Sequence, residues 1–102
     1  MKDLTVKEWK QLLEKEENAF VLDVRTDEEF EEGHLPDATQ LDIYQGAEFL
    51  ESLEKLDKSK NYYVYCRSGG RSQQACQLMD QMGFGETYNL VGGYDEWKKN
   101  SL

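Results

Sequence analysis

Short strand-like runs alternate with amphipathic helical stretches along this chain, and that order constrains the fold more than any other feature. Thr5-Val6-Lys7-Glu8 matches a capping box, in which a threonine and a glutamate three residues later satisfy helix-start donors reciprocally. Val6, Trp9, Leu12 and Leu13 then recur at helical spacing and predict a first helix running to about Glu16. Phe20-Val21-Leu22-Asp23-Val24 is a nearly continuous apolar run, the pattern of a strand buried on both faces. Thr26 to Glu32 reads as a short acidic helix ended by Gly33, His34 to Asp37 as a turn holding the only proline, and Ala38 to Ile43 as another strand. Phe49, Leu50, Leu53 and Leu56 mark a helix over Ala47 to Leu56.

Tyr62 to Tyr65 is a further strand, followed by a helix from about Ser72 to Met82 with Ala75, Leu78, Met79 and Met82 as its core stripe. Gly83 stands where that helix should end. Thr87 to Val91 is the last strand, and Gly92-Gly93 leads into a terminal helix bearing Trp97. Strands alternating with helices predict an α/β fold, a parallel sheet covered by helices on both faces. Ligands of such sheets sit beyond the carboxyl ends of the strands. The 102 residues suit one domain, residues 1–102, with a core that needs no disulfide or metal.

Within this order the stretch Tyr62-Tyr63-Val64-Tyr65-Cys66-Arg67-Ser68-Gly69-Gly70-Arg71-Ser72 carries the chemistry. It places Cys66 at the carboxyl end of a strand, before a glycine-containing turn and the start of a helix. Backbone N–H groups of such a turn, with the positive end of the helix dipole, stabilise an anion. A free cysteine ionises at about 8.5, so only a few per cent is thiolate at neutral pH, and each unit of depression reflects about 1.4 kcal/mol of preference for the anion. The loop reads as a cradle for a reactive sulfur, against the plainer alternatives of a small buried cysteine and ordinary turn glycines.

The net charge of −9 argues against nucleic acid or an anionic membrane surface as a partner. The acidic runs Glu14 to Glu17 and Asp27 to Glu32 read as solvated helix faces. Two cysteines without an apolar leader fit a reducing cytoplasm, and no apolar run approaches the roughly 20 residues of a membrane span. The lone His34 cannot assemble a metal site and is expected to be structural.

The loop Cys66-Arg67-Ser68-Gly69-Gly70-Arg71-Ser72 resembles the active-site loop of the rhodanese (sulfurtransferase) family. Two further segments agree in order and spacing: Leu22-Asp23-Val24-Arg25 with Glu29-Phe30 and Gly33-His34-Leu35-Pro36, and Leu90-Val91-Gly92-Gly93 with Trp97. Asp37, where the family usually has glycine, and the polar Leu41-Asp42-Ile43 depart from its pattern. The resemblance implies a three-layer α/β/α sandwich around a five-stranded, mostly parallel sheet. It implies a sulfurtransferase in which Cys66 takes a sulfane sulfur from a small donor, thiosulfate or a persulfide, and passes it to a thiol or protein acceptor. No metal or organic cofactor is expected, and the protein is expected to be a cytoplasmic monomer. A rhodanese-like interaction or sulfur-relay module is the non-enzymatic alternative. A cysteine phosphatase or arsenate reductase fits less well, because only four residues separate Cys66 from Arg71 where the phosphatase loop has five.

Arg71, which closes the loop, is expected to hold the donor's anionic end or to lock the loop, and Arg67 to point outward. Gly69 and Gly70 allow unusual φ and close approach of an anion. Ser68 and Ser72 are candidate donors to the sulfur, with helix capping the preferred role for Ser72. Asp23 is expected to brace neighbouring loops, and Arg25 either to reach the pocket or to form an ion pair. Cys76, on the following helix, is read as a packing residue, with a resolving thiol as the sharper alternative.

Overall fold

A computed structural model describes residues 1–100. The elements are β1 (Lys2–Leu4), α1 (Val6–Glu14), β2 (Ala19–Asp23), α2 (Asp27–Glu32), β3 (Thr39–Gln40), a 3₁₀ turn (Ile43–Gln45), α3 (Ala47–Glu54), β4 (Asn61–Tyr65), α4 (Gly70–Gln81), β5 (Thr87–Leu90) and α5 (Gly93–Lys99). The five strands form one sheet in the order β1-β5-β4-β2-β3, with every neighbouring pair parallel.

β4 lies at the centre, and its side chains alternate between two cores, as the period of two along a strand requires. Tyr62, Val64 and Cys66 join Leu22, Phe49, Leu53, Ala75 and Met79 on the face covered by α3 and α4. Tyr63 and Tyr65 join Trp9, Val21, Tyr88 and Leu90 on the face covered by α1 and α5. Trp9 anchors that second face: it is fully buried, its indole N–H donates to the Tyr88 carbonyl at 3.2 Å, and Tyr63, Tyr65 and Trp97 meet its ring edge-on. The sheet therefore lies between two helical layers, the α/β sandwich that the alternation of elements predicts.

Most boundaries agree with the sequence to within two or three residues, and the differences have local causes. The Thr5–Glu8 capping box forms, with the Thr5 amide donating to Glu8 at 3.0 Å and the Glu8 amide to Thr5 Oγ1 at 3.3 Å. β1 has no apolar signal of its own. Parallel pairing with β5 creates it, in the register Lys2 to Tyr88, Asp3 to Asn89 and Leu4 to Leu90. The strand expected over Ala38 to Ile43 shortens to Thr39–Gln40, because the Asp42 carboxylate accepts from the Tyr44 amide at 2.9 Å and starts the 3₁₀ turn. Asp37 takes a φ of +61°, a left-handed position that aspartate tolerates better than most residues and glycine better still. The α4 helix begins at Gly70, with Gly69 as its cap. The capping role expected of Ser72 is therefore incorrect: it lies inside the first turn, where its hydroxyl turns toward the loop.

Candidate active site

Cys66 follows β4 directly and sits at the sheet's carboxyl edge, 1 % exposed. Its Sγ accepts the Gly69 N–H at 3.1 Å and lies 3.3 Å from the Ser72 hydroxyl. Burial works against a thiolate here, but the Ser72 hydroxyl and the amides of Ser72, Gly69 and Ser68 outweigh it, so the thiol ionises below its ordinary value.

Three devices hold the loop in this shape. Gly69 has a φ of +110°, which aims its N–H inward and which a side chain would strain, whereas Gly70 opens α4 without a left-handed φ, so the unusual φ expected of both glycines is correct only for Gly69. On the loop's far side, α5 turns the strand-end carbonyls away from the sulfur: Tyr94 N–H donates to Cys66 O at 2.8 Å and Asp95 N–H to Arg67 O at 3.1 Å. That approach requires Gly93, because a Cβ there would stand 2.5 Å from Cys66 O and 2.6 Å from Arg67 O. The third device is Arg71, whose two terminal nitrogens grip both oxygens of Glu29 at 2.7 and 2.8 Å.

Glu29 also completes a capping box with Thr26 at the start of α2, so one carboxylate ties the Cys66 loop to the element after β2. The Arg71 guanidinium is the main reason its carboxyl is lowered to about 2. Of the two roles expected for Arg71, the geometry is that of a loop lock, and its guanidinium also lies 5.3 Å from the exposed Tyr44 ring. Arg67 points outward, 70 % exposed, with Asp95 at 3.6 Å.

Asp23 and Arg25 form a buried pair. The Asp23 carboxylate accepts from the Arg25 amide at 2.9 Å and from its guanidinium at 2.7 to 3.1 Å. Arg25 donates onward to Gly33 O at 2.7 Å and lies over the Tyr94 ring at 4.6 Å. Asp23 thus braces the 23–33 segment, as expected. Of the two alternatives for Arg25 the structure shows the ion pair; Arg25 also lines a polar recess of about 300 Å³ with Glu29, Glu32, Arg67, Tyr94, Asp95 and Lys98, and Cys66 does not line that recess. Cys76 is buried on α4 and its thiol is pushed up to about 12, chiefly by burial. That environment suits packing and works against a thiolate that resolves anything. His34 stacks on Phe30 with ring centres 3.8 Å apart.

Two residues of the site have roles that the sequence alone does not assign. Glu29, part of the segment Leu22 to Pro36 that carries the resemblance but given no role there, is also legible as the partner of Thr26 in a second S/T-x-x-E pattern, which also predicts α2. Asn89, at the middle of β5 and 3 % exposed, accepts the Ser72 hydroxyl at 2.5 Å. A polar amide inside an otherwise buried strand is the signal that marks it, because such a group needs fixed partners.

Comparison with known proteins agrees with this geometry. The rhodanese-like domain family model matches residues 5–100. The thiosulfate sulfurtransferase GlpE of Coxiella burnetii is 38 % identical over 84 % of this chain and 78 % of its own length. A sulfurtransferase of Allochromatium vinosum is 36 % identical over the same shares. A rhodanese-like domain protein of Staphylococcus aureus superposes with a TM-score of 0.82 at 30 % identity, over 95 % of this chain and 91 % of that one. A buried thiol cradled by loop amides at the edge of a five-stranded parallel sheet, in a chain matched over nearly its whole length, identifies this protein as a member of the rhodanese-like domain family.

Proposed function

We propose that this protein is a sulfurtransferase that carries a sulfane sulfur on Cys66. The observation that carries the reading is the cradle itself. Loop amides and a hydroxyl converge on one buried sulfur whose ionisation they favour. The Cys66 thiolate attacks the outer sulfur of thiosulfate, the donor's S–S bond breaks, and sulfite leaves with the bonding electrons. The product is a persulfide anion on Cys66, and the inward N–H groups favour its charge as they favour the thiolate's. An acceptor thiolate then attacks the terminal sulfur, and Sγ leaves as the thiolate that began the cycle. This is nucleophilic catalysis in two half-reactions, for which ping-pong kinetics are expected.

The name of the Coxiella burnetii relative supports thiosulfate as the donor. A thiol, small or on a protein, is the acceptor class that the second half-reaction requires. Intact-mass measurement tests the reading directly. Thiosulfate should add one sulfur, about 32 Da, to the wild type and nothing to Cys66→Ser. An unchanged wild-type mass overturns the proposal. A persulfide that forms but moves to no small acceptor thiol, only to a protein, replaces free turnover with a sulfur relay.

A further inference from the structure

Asn89 contacts neither the thiol nor the loop opening, yet it ends a chain of polar groups that reaches Cys66. In the sheet it stands opposite Asp3 of the edge strand β1. Its Nδ2 donates to Asp3 Oδ1 at 2.9 Å and lies 3.4 Å from Gly69 O. A carboxylate and a carbonyl can only accept, so both neighbours require the NH₂ end of the amide. Oδ1 is therefore left facing Ser72, at 2.5 Å from its hydroxyl. That hydroxyl has one hydrogen and three acceptors within reach: Asn89 Oδ1, Gly69 O at 3.2 Å and Cys66 Sγ at 3.3 Å.

We propose that Asn89 is a positioning residue for the reaction, a rival acceptor that draws the Ser72 hydrogen away from Sγ when the sulfur is neutral and releases it when the sulfur is charged. With Cys66 as thiol, Ser72 donates to Asn89 and its oxygen lone pair receives the S–H. With Cys66 as thiolate, the hydroxyl turns and donates to sulfur. Resting on the sulfur-transfer reading, the same turn accompanies each half-reaction. The inner sulfur of the persulfide is uncharged and leaves the hydrogen with Asn89. Transfer of the outer sulfur to the acceptor restores the Cys66 thiolate, which draws the hydrogen back to Sγ. Charged groups border the chain at both ends: Asp3 on β1, and beside the thiol Arg71 of α4, which is paired with Glu29 of α2. Gly69 O keeps the Gln73 N–H at 3.1 Å, and Asp3 is exposed, so removing the Asn89 amide strands neither acceptor.

The test is a titration of the thiolate's ultraviolet absorbance, read as the difference from Cys66→Ser. Cys76 is silent in the range that matters, since its thiol is held near 12. Asn89→Leu should lower the Cys66 midpoint and give about fivefold more thiolate below it, the scale of one competing hydrogen bond. Ser72→Ala should raise the midpoint. The double variant should titrate like Ser72→Ala alone, because Asn89 acts only through that hydroxyl. Should Asn89→Leu fail to fold, Asn89→Val, whose branched side chain suits a strand, carries the same expectation. An unchanged or raised midpoint overturns the proposal, and so does an equal shift in the Ser72→Ala background. Since the titration reads the thiol alone, a failed pattern with persulfide formation intact rejects only the role of Asn89. A correct pattern without persulfide rejects only sulfur transfer.

Discussion

Arg71 and Glu29 meet through two parallel hydrogen bonds, at 2.7 and 2.8 Å, across 42 positions of sequence. Fork-to-fork geometry makes this one of the stronger kinds of ion pair and fixes orientation as well as distance. It holds the end of the thiol loop against the start of α2, and through that loop it bears on where the loop amides point.

Arg71→Ala should therefore lower kcat/KM for thiosulfate by about tenfold or more, as misplacement of a catalytic loop does. Arg67→Ala, which removes an exposed charge with only a distant partner, should stay within about threefold. Steady-state kinetics on the two variants decide between them, and equal losses contradict the loop-lock role.

Acid stability should report on the same pair. The Glu29 carboxyl, lowered to about 2 from an ordinary 4.5, contributes stability that is fully present above 4.5 and disappears as pH falls through about 2. The stability difference between wild type and Glu29→Gln should be constant near neutrality and shrink across that window. Chemical denaturation at a series of pH values measures it.

Gly93→Ala should cost at least about 2 kcal/mol, combining a left-handed φ of +58° with a Cβ 2.5 Å from the Cys66 carbonyl. Gly70 has an ordinary helical φ and open space around its Cα, so Gly70→Ala should leave stability unchanged or raise it by about 0.5 kcal/mol. Thermal melts of the two variants separate a glycine that packing demands from one that it does not.

Asp23→Ala should cost about 3–5 kcal/mol, since it leaves the Arg25 guanidinium, 3 % exposed, without its charge partner. Replacing both residues together should cost less than Asp23→Ala alone. A double-mutant cycle on unfolding free energies gives the coupling, and purely additive losses would contradict it.

Local chemistry is written in the order of residues. The Thr5–Glu8 box starts α1, the apolar runs around Val21 and Val64 become central strands, and a cysteine before a glycine turn and a helix becomes an anion cradle. Each follows from interactions within a few positions of sequence, and those are the interactions a linear pattern records. β1 is invisible in that pattern because its three residues become a strand by pairing with β5, some eighty positions away. Shorter but still long separations, 42 positions for Glu29 and Arg71 and 17 for Ser72 and Asn89, hide the contacts that shape the site. Glu29 reaches Arg71, Gly93 admits α5 against the Cys66 carbonyl, and Asn89 meets Ser72 only once β5 has paired with β4 and α4 has packed on the sheet. Residue types and spacing specify which sulfur sits in the cradle. Which way its neighbours' hydrogens point depends on long-range packing, because a hydrogen bond is directional and its direction is set by every element that touches the donor.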